Sequence, residues 1–145
     1  MKNLIVLFII QILVLSSCNF GLAQENPSEK QQTKMLMDFY TAYITEVAMG
    51  KPPNLEKNLS SLRQNYCTLK LLKEIPKKIE ETNVDPFIKA QDISIETLKT
   101  LCVVKVQNKP DSYTVSYTNI YSKAVIIIAI EVVKVKKGYK INSVN

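Results

Sequence analysis

Residues 124–133 read Ala124-Val125-Ile126-Ile127-Ile128-Ala129-Ile130-Glu131-Val132-Val133, and they decide the fold of this 145-residue chain. Ten residues interrupted by a single charge suit a buried strand or a buried helix equally well by periodicity. Four isoleucines and three valines favour the strand, because β-branched side chains pack well on a pleated surface. The run does not alternate, so it reads as a central strand covered on both faces.

Strand signals continue on either side. Lys137-Gly138 turns the chain into Tyr139-Lys140-Ile141-Asn142-Ser143-Val144, a closing edge strand. Upstream, Tyr113, Val115 and Tyr117 alternate with Thr114, Ser116 and Thr118, a period of two with one apolar face. Residues 101–106 read as a strand through the β-branched Val103, Val104 and Val106 and lead into Asn108-Lys109-Pro110-Asp111, a hairpin turn.

The first half has helical spacing instead. Leu36, Phe39, Tyr40, Tyr43, Ile44 and Val47 form one stripe that Gly50 closes and Lys51-Pro52-Pro53 cannot continue. Core packing is the reading of Phe39, Tyr40 and Tyr43, with a ligand-facing role for one tyrosine as the alternative. Asn54 can cap a second helix carrying Leu55, Leu59 and Leu62. Thr68 caps a third with Leu69, Leu72 and Ile75, which Pro76 kinks or restarts. Residues 82–92 lose periodicity, with turn signals at Asn83 and Asp85-Pro86 around the apolar pair Phe87-Ile88. Three helical segments before four antiparallel strands predict an α+β fold with helices on one sheet face.

This order resembles a family of small exported bacterial domains of unknown function with a cystatin-like, nuclear-transport-factor-2-like fold. The resemblance rests on Phe39-Tyr40 and Tyr43-Ile44, on Asp85-Pro86-Phe87-Ile88-Lys89-Ala90-Gln91-Asp92, and on Lys140-Ile141-Asn142-Ser143. It implies a curved four-stranded sheet wrapped around the first helix as a cone with an open mouth. It implies no reaction, and folds of this shape host enzymes and binding modules alike.

The amino terminus carries an address. Lys2, the apolar run 4–15 and Leu15-Ser16-Ser17-Cys18 have the order of an export signal, and the last four residues resemble a bacterial lipobox. A lipid on Cys18 would be the membrane partner, with the outer membrane as destination; cleavage after Ala23 is the competing outcome. The expected organisation is a signal peptide over 1–17, a lipid-anchored tether over 18–32, and one α+β domain over 33–145.

Composition narrows the chemistry. The chain has no histidine, which excludes Ser-His-Asp and Cys-His nucleophile systems and histidine-ligated metals. Glycine occurs three times, at 21, 50 and 138, too sparsely for a phosphate-cradling loop. No cofactor or metal is expected. The charge of +6 becomes about +5 once Lys2 leaves with the signal, and no aromatic-basic motif points to nucleic acid. Cys67 and Cys102 are left once Cys18 is set aside, either as a disulfide or as ordinary thiols. The functional expectation is a non-enzymatic binding domain for a protein or small-molecule partner, with contacts among Tyr40, Tyr43, Gln91, Asp92, Tyr113 and Tyr117. Two alternatives stand beside it: an immunity or inhibitor protein that blocks a secreted toxic enzyme, and a small hydrolase or isomerase using Asp92.

Overall fold

The computed structural model describes residues 26–145; the signal, Cys18 and the first part of the tether lie outside the described residues. Three helices come first: α1 (Pro27–Met49), α2 (Asn54–Tyr66) and α3 (Leu69–Thr82). A 3-10 helix (Ile95–Thr100) then leads to β1 (Cys102–Lys105), β2 (Ser112–Thr118), β3 (Val125–Val135) and β4 (Gly138–Val144). The strands form one open antiparallel sheet in the order β1-β2-β3-β4. The fold is therefore α+β, with helices packed on one face of a four-stranded sheet.

Local chemistry explains where the helices start and stop. The Asn26 side chain accepts the Ser28 N–H at 3.1 Å and Pro27 occupies the first turn, so α1 begins earlier than its apolar stripe. Residues 27–32, assigned to the tether from sequence, are thus helical. Gln32 is buried, accepting from the Tyr113 hydroxyl at 2.6 Å and donating to Asp111 Oδ1 at 2.7 Å. At the far end the Gly50 N–H donates to Glu46 O at 2.7 Å. A Cβ on Gly50 would lie 2.4 Å from that same oxygen, so the position requires glycine for close approach. Asn54 opens α2 without capping it; Pro53 holds the cap position and no side chain bonds the free N–H groups. Thr68 does cap α3, accepting from the Leu71 N–H at 3.2 Å. That helix runs through Pro76 and ends at Asn83, in the left-handed region at φ 57°.

The core lies between α1 and the inner sheet face. Leu36, Phe39, Tyr40, Tyr43 and Ile44 from α1 are fully buried with Tyr113, Val115, Ile128 and Ile141 from the strands. Phe39 sits at its centre, with ring centroids 5.1–5.4 Å from Tyr40, Tyr43, Tyr66 and Phe87. Each such side chain contributes roughly 1.5–3 kcal/mol through burial. The α2–α3 junction closes the sheet edge: Thr68 N–H donates to Ile141 O at 2.9 Å, and Lys140 Nζ to Gln64 O at 3.0 Å. Every described buried residue lies between Gln32 and Val144.

Two sequence expectations are corrected here. β3 is central but covered on one face only: Ile128, Ile130 and Val132 are buried, while Val125 and Ile127 are 63% and 58% exposed. The helices all pack on the other side. Cys67 and Cys102 are free thiols rather than a disulfide. Cys67 is buried beside Ile141 on β4, and Cys102 is exposed on β1. Those strands are the opposite edges of the sheet, about 14 Å apart at ~4.8 Å per strand, beyond the reach of an S–S bond. Among the described residues no helix is long and apolar enough to cross a membrane.

Candidate functional site

The most connected polar group joins Tyr43 of α1, Arg63 of α2 and Asp85 of the loop after α3. Arg63 Nε and Nη2 both donate to the Tyr43 hydroxyl, at 2.9 and 2.6 Å. That hydroxyl donates to Asp85 Oδ2 at 2.6 Å, and Arg63 Nη2 reaches the same oxygen at 3.2 Å. Arg63 Nη1 donates to Glu56 at 3.1 Å, and the guanidinium carbon lies 5.5 Å from the Tyr43 ring centroid. Burial, followed by the Asp85 charge, pushes the Tyr43 phenol far above its ordinary value, so it stays neutral and donates. Asp85 spends its other oxygen on the Phe87 N–H at 2.8 Å, and its own N–H donates to Ala90 O at 3.1 Å.

These bonds make residues 85–90 a staple. Phe87 and Ile88 are driven into the core, where the Tyr117 hydroxyl donates to Ile88 O. Around the network, Val47, Leu55, Leu59 and Ile79 line a cleft of about 350 Å³ whose far wall is residues 83–91. Arg63 and Asp85 lie at its base. A wider groove of about 870 Å³ runs between Glu29 and Thr33 of α1 and the β1–β2 hairpin.

The six residues expected at a ligand mouth do not converge. Tyr40, Tyr43, Tyr113 and Tyr117 are buried and fill the space beneath the sheet. Burial pushes the Tyr113 and Tyr117 phenols up to about 12, with the Asp85 charge adding to Tyr117. Tyr113 donates to Gln32, Tyr117 to Ile88 O, and the buried Tyr40 hydroxyl has no partner among the described residues. Gln91 is exposed, lines the cleft and donates to Asn83 O at 3.1 Å. Asp92 is exposed and its Oδ1 accepts the adjacent Ile93 N–H at 2.7 Å; Ser94 caps the 3-10 helix instead. Among the described residues no cluster of three metal-ligating acidic or thiol side chains occurs.

Sequence reasoning passed over Arg63. A signal was present: Arg63 is the one arginine among nineteen basic residues. A chain that uses lysine everywhere else keeps guanidinium where several donors must meet one hydroxyl and two carboxylates.

A solved protein shares this architecture. It is a crystal structure of a protein of unknown function from Bacteroides thetaiotaomicron, similar at a TM-score of 0.75 and 29% sequence identity. The likeness covers 81% of this chain and 90% of that one. No protein-family model matches the chain, and no curated protein matches it.

Proposed function

We propose that this protein is an exported, lipid-anchored, non-enzymatic binding domain of the bacterial envelope, and that its ligand enters the cleft above Arg63. The observation that carries the binding reading is the pairing of apolar walls, from Val47, Leu55, Leu59 and Ile79, with a base fixed by the Tyr43–Arg63–Asp85 network. Its volume of about 350 Å³ lies within the ~300–1,000 Å³ of small-molecule sites. Such walls select a ligand with an apolar body, and the fixed charges at the base orient a polar end. The anchor rests on Leu15-Ser16-Ser17-Cys18, and palmitate labelling that disappears in Cys18→Ser is its direct check.

The cleft is tested with the anionic apolar dye anilinonaphthalene sulfonate on residues 26–145. Saturable one-to-one fluorescence is expected for the natural sequence. It should be lost in Leu55→Arg, which fills the half-exposed rim without entering the core. Failure of the natural sequence to bind, or equal binding by the folded Leu55→Arg variant, would overturn the assignment.

A further inference from the structure

Two hairpin turns meet at one end of the sheet. Ser112 of β2 pairs with Glu131 of β3, so the turn after β1 and the turn after β3 lie at the same end. The Val132 N–H donates to Asp111 O at 2.8 Å between them. Residues 101–110 and 132–145 carry Lys105, Lys109, Lys134, Lys136, Lys137 and Lys140 and no acidic residue. Elsewhere in the chain basic and acidic residues are equal at thirteen each, so these six lysines amount to the whole net charge of +6. Among the described residues none of the six lies in an ion pair. Lys105 donates to Lys109 O and Lys140 to Gln64 O, both at 3.0 Å, and both acceptors are neutral. Asp111, the carboxylate between the two turns, is held by Gln32. Lys109, Lys134, Lys136 and Lys137 are exposed.

We infer that this lysine-rich end is a docking surface for an anionic phospholipid membrane and seats the domain on it in one orientation. Charge complementarity is the first argument: clustered lysines are drawn to a negative lipid surface within a Debye length of ~8–10 Å. The second is where the chain enters its fold. Glu29 and Thr33, in the first two turns of α1, line a groove against the β1–β2 hairpin, and Gln32 reaches Asp111 in the turn itself. The domain therefore begins at the same end as the lysines. Asn26 follows Cys18 by eight residues, a span of at most ~28 Å. The choice of lipid as partner rests on the proposed anchor at Cys18, which would draw this end of the domain, and not the other, to the bilayer. Lys51, beyond the far end of α1, is roughly 34 Å away. Lys123, between β2 and β3, is at the opposite end of the sheet.

Lysine footprinting of the protein purified from the envelope tests this surface. The protein is placed on vesicles of phosphatidylcholine, alone or with phosphatidylglycerol, acetylated with a succinimidyl ester and read by mass spectrometry. With phosphatidylglycerol present, Lys109, Lys134, Lys136 and Lys137 should react several-fold more slowly, and Lys51 and Lys123 at unchanged rates. Salt at ~1 M, which shortens the screening length to ~3 Å, should abolish the difference. Lys136→Glu combined with Lys137→Glu should remove protection at Lys109 and Lys134 while the far-ultraviolet spectrum stays the same. Equal rates on the two kinds of vesicle, or protection that survives the double substitution, overturn the inference. So does protection by soluble heparin with none by vesicles, which assigns the surface to an acidic polymer. A protein found without lipid on Cys18 sinks the anchor alone; the same footprint, with protein meeting the vesicles from solution, still decides the surface.

Discussion

Two tyrosines a single helical turn apart behave oppositely, and the difference lies wholly in what their hydroxyls meet. Tyr43 accepts twice from Arg63 and donates to Asp85, whereas the Tyr40 hydroxyl is buried with no partner among the described residues. Tyr43→Phe should therefore cost about 1–3 kcal/mol, since it leaves Arg63 donors unsatisfied in a buried place. Tyr40→Phe removes an orphan polar atom at nearly constant volume and should stabilise by up to ~1 kcal/mol. Urea midpoints of the two variants, moving in opposite directions, check the pair; a loss in both would refute the assignment for Tyr40. Neither role is legible in sequence, because the two residues share one apolar stripe. Asp85, by contrast, announces itself through Asp-Pro as a turn residue, and its bond to the Phe87 N–H is the turn chemistry that such a dipeptide favours.

At the scale of the element, legibility follows how local the cause is. Alternation in 113–118, the Thr68 cap and the Lys137-Gly138 turn depend on neighbours in the chain, and all three are where the sequence puts them. Gly138, at φ +100°, supplies the positive torsion that closes the β3–β4 hairpin. The start of α1 is not legible locally, because Gln32 is held by Asp111 and Tyr113, about eighty residues away in sequence. The two-sided cover expected of β3 failed for a related reason: apolar composition records what a strand can bury, not what a single chain supplies. Gly50 gives the element-scale prediction. Gly50→Ala places a Cβ 2.4 Å from a backbone oxygen that cannot rotate away. The end of α1 must shift, at a cost of about 1–3 kcal/mol, read as a lower melting temperature. An unchanged melting temperature would show that the turn relaxes freely.

Across the whole molecule the buried tyrosines make alkali the vulnerable side. Burial pushes the Cys67 thiol and the Tyr113 and Tyr117 phenols up to about 12, from ordinary values of 9.0 for the thiol and 10.0 for the phenols. The unfolded chain therefore releases these protons first, and the folded chain holds more of them between pH 9 and about 12. Stability is complete below that window and falls as pH rises through it, by about 1.4 kcal/mol per pH unit for each group held protonated. Melting temperatures should drop steadily above pH 9, with the phenolate absorbance of the buried tyrosines appearing together with unfolding rather than before it. A flat profile to pH 12 would contradict the closed tyrosine core.

The junction of Thr68 with Ile141 has a consequence for how the polypeptide is made. Helices α1 to α3 leave a ribosome long before β4, yet their apolar stripes are sealed only when Ile141 and Val144 arrive. Until then the nascent chain has no completed interior. On the proposed export route, such late closure would keep the chain extensible for as long as passage through a translocation pore takes.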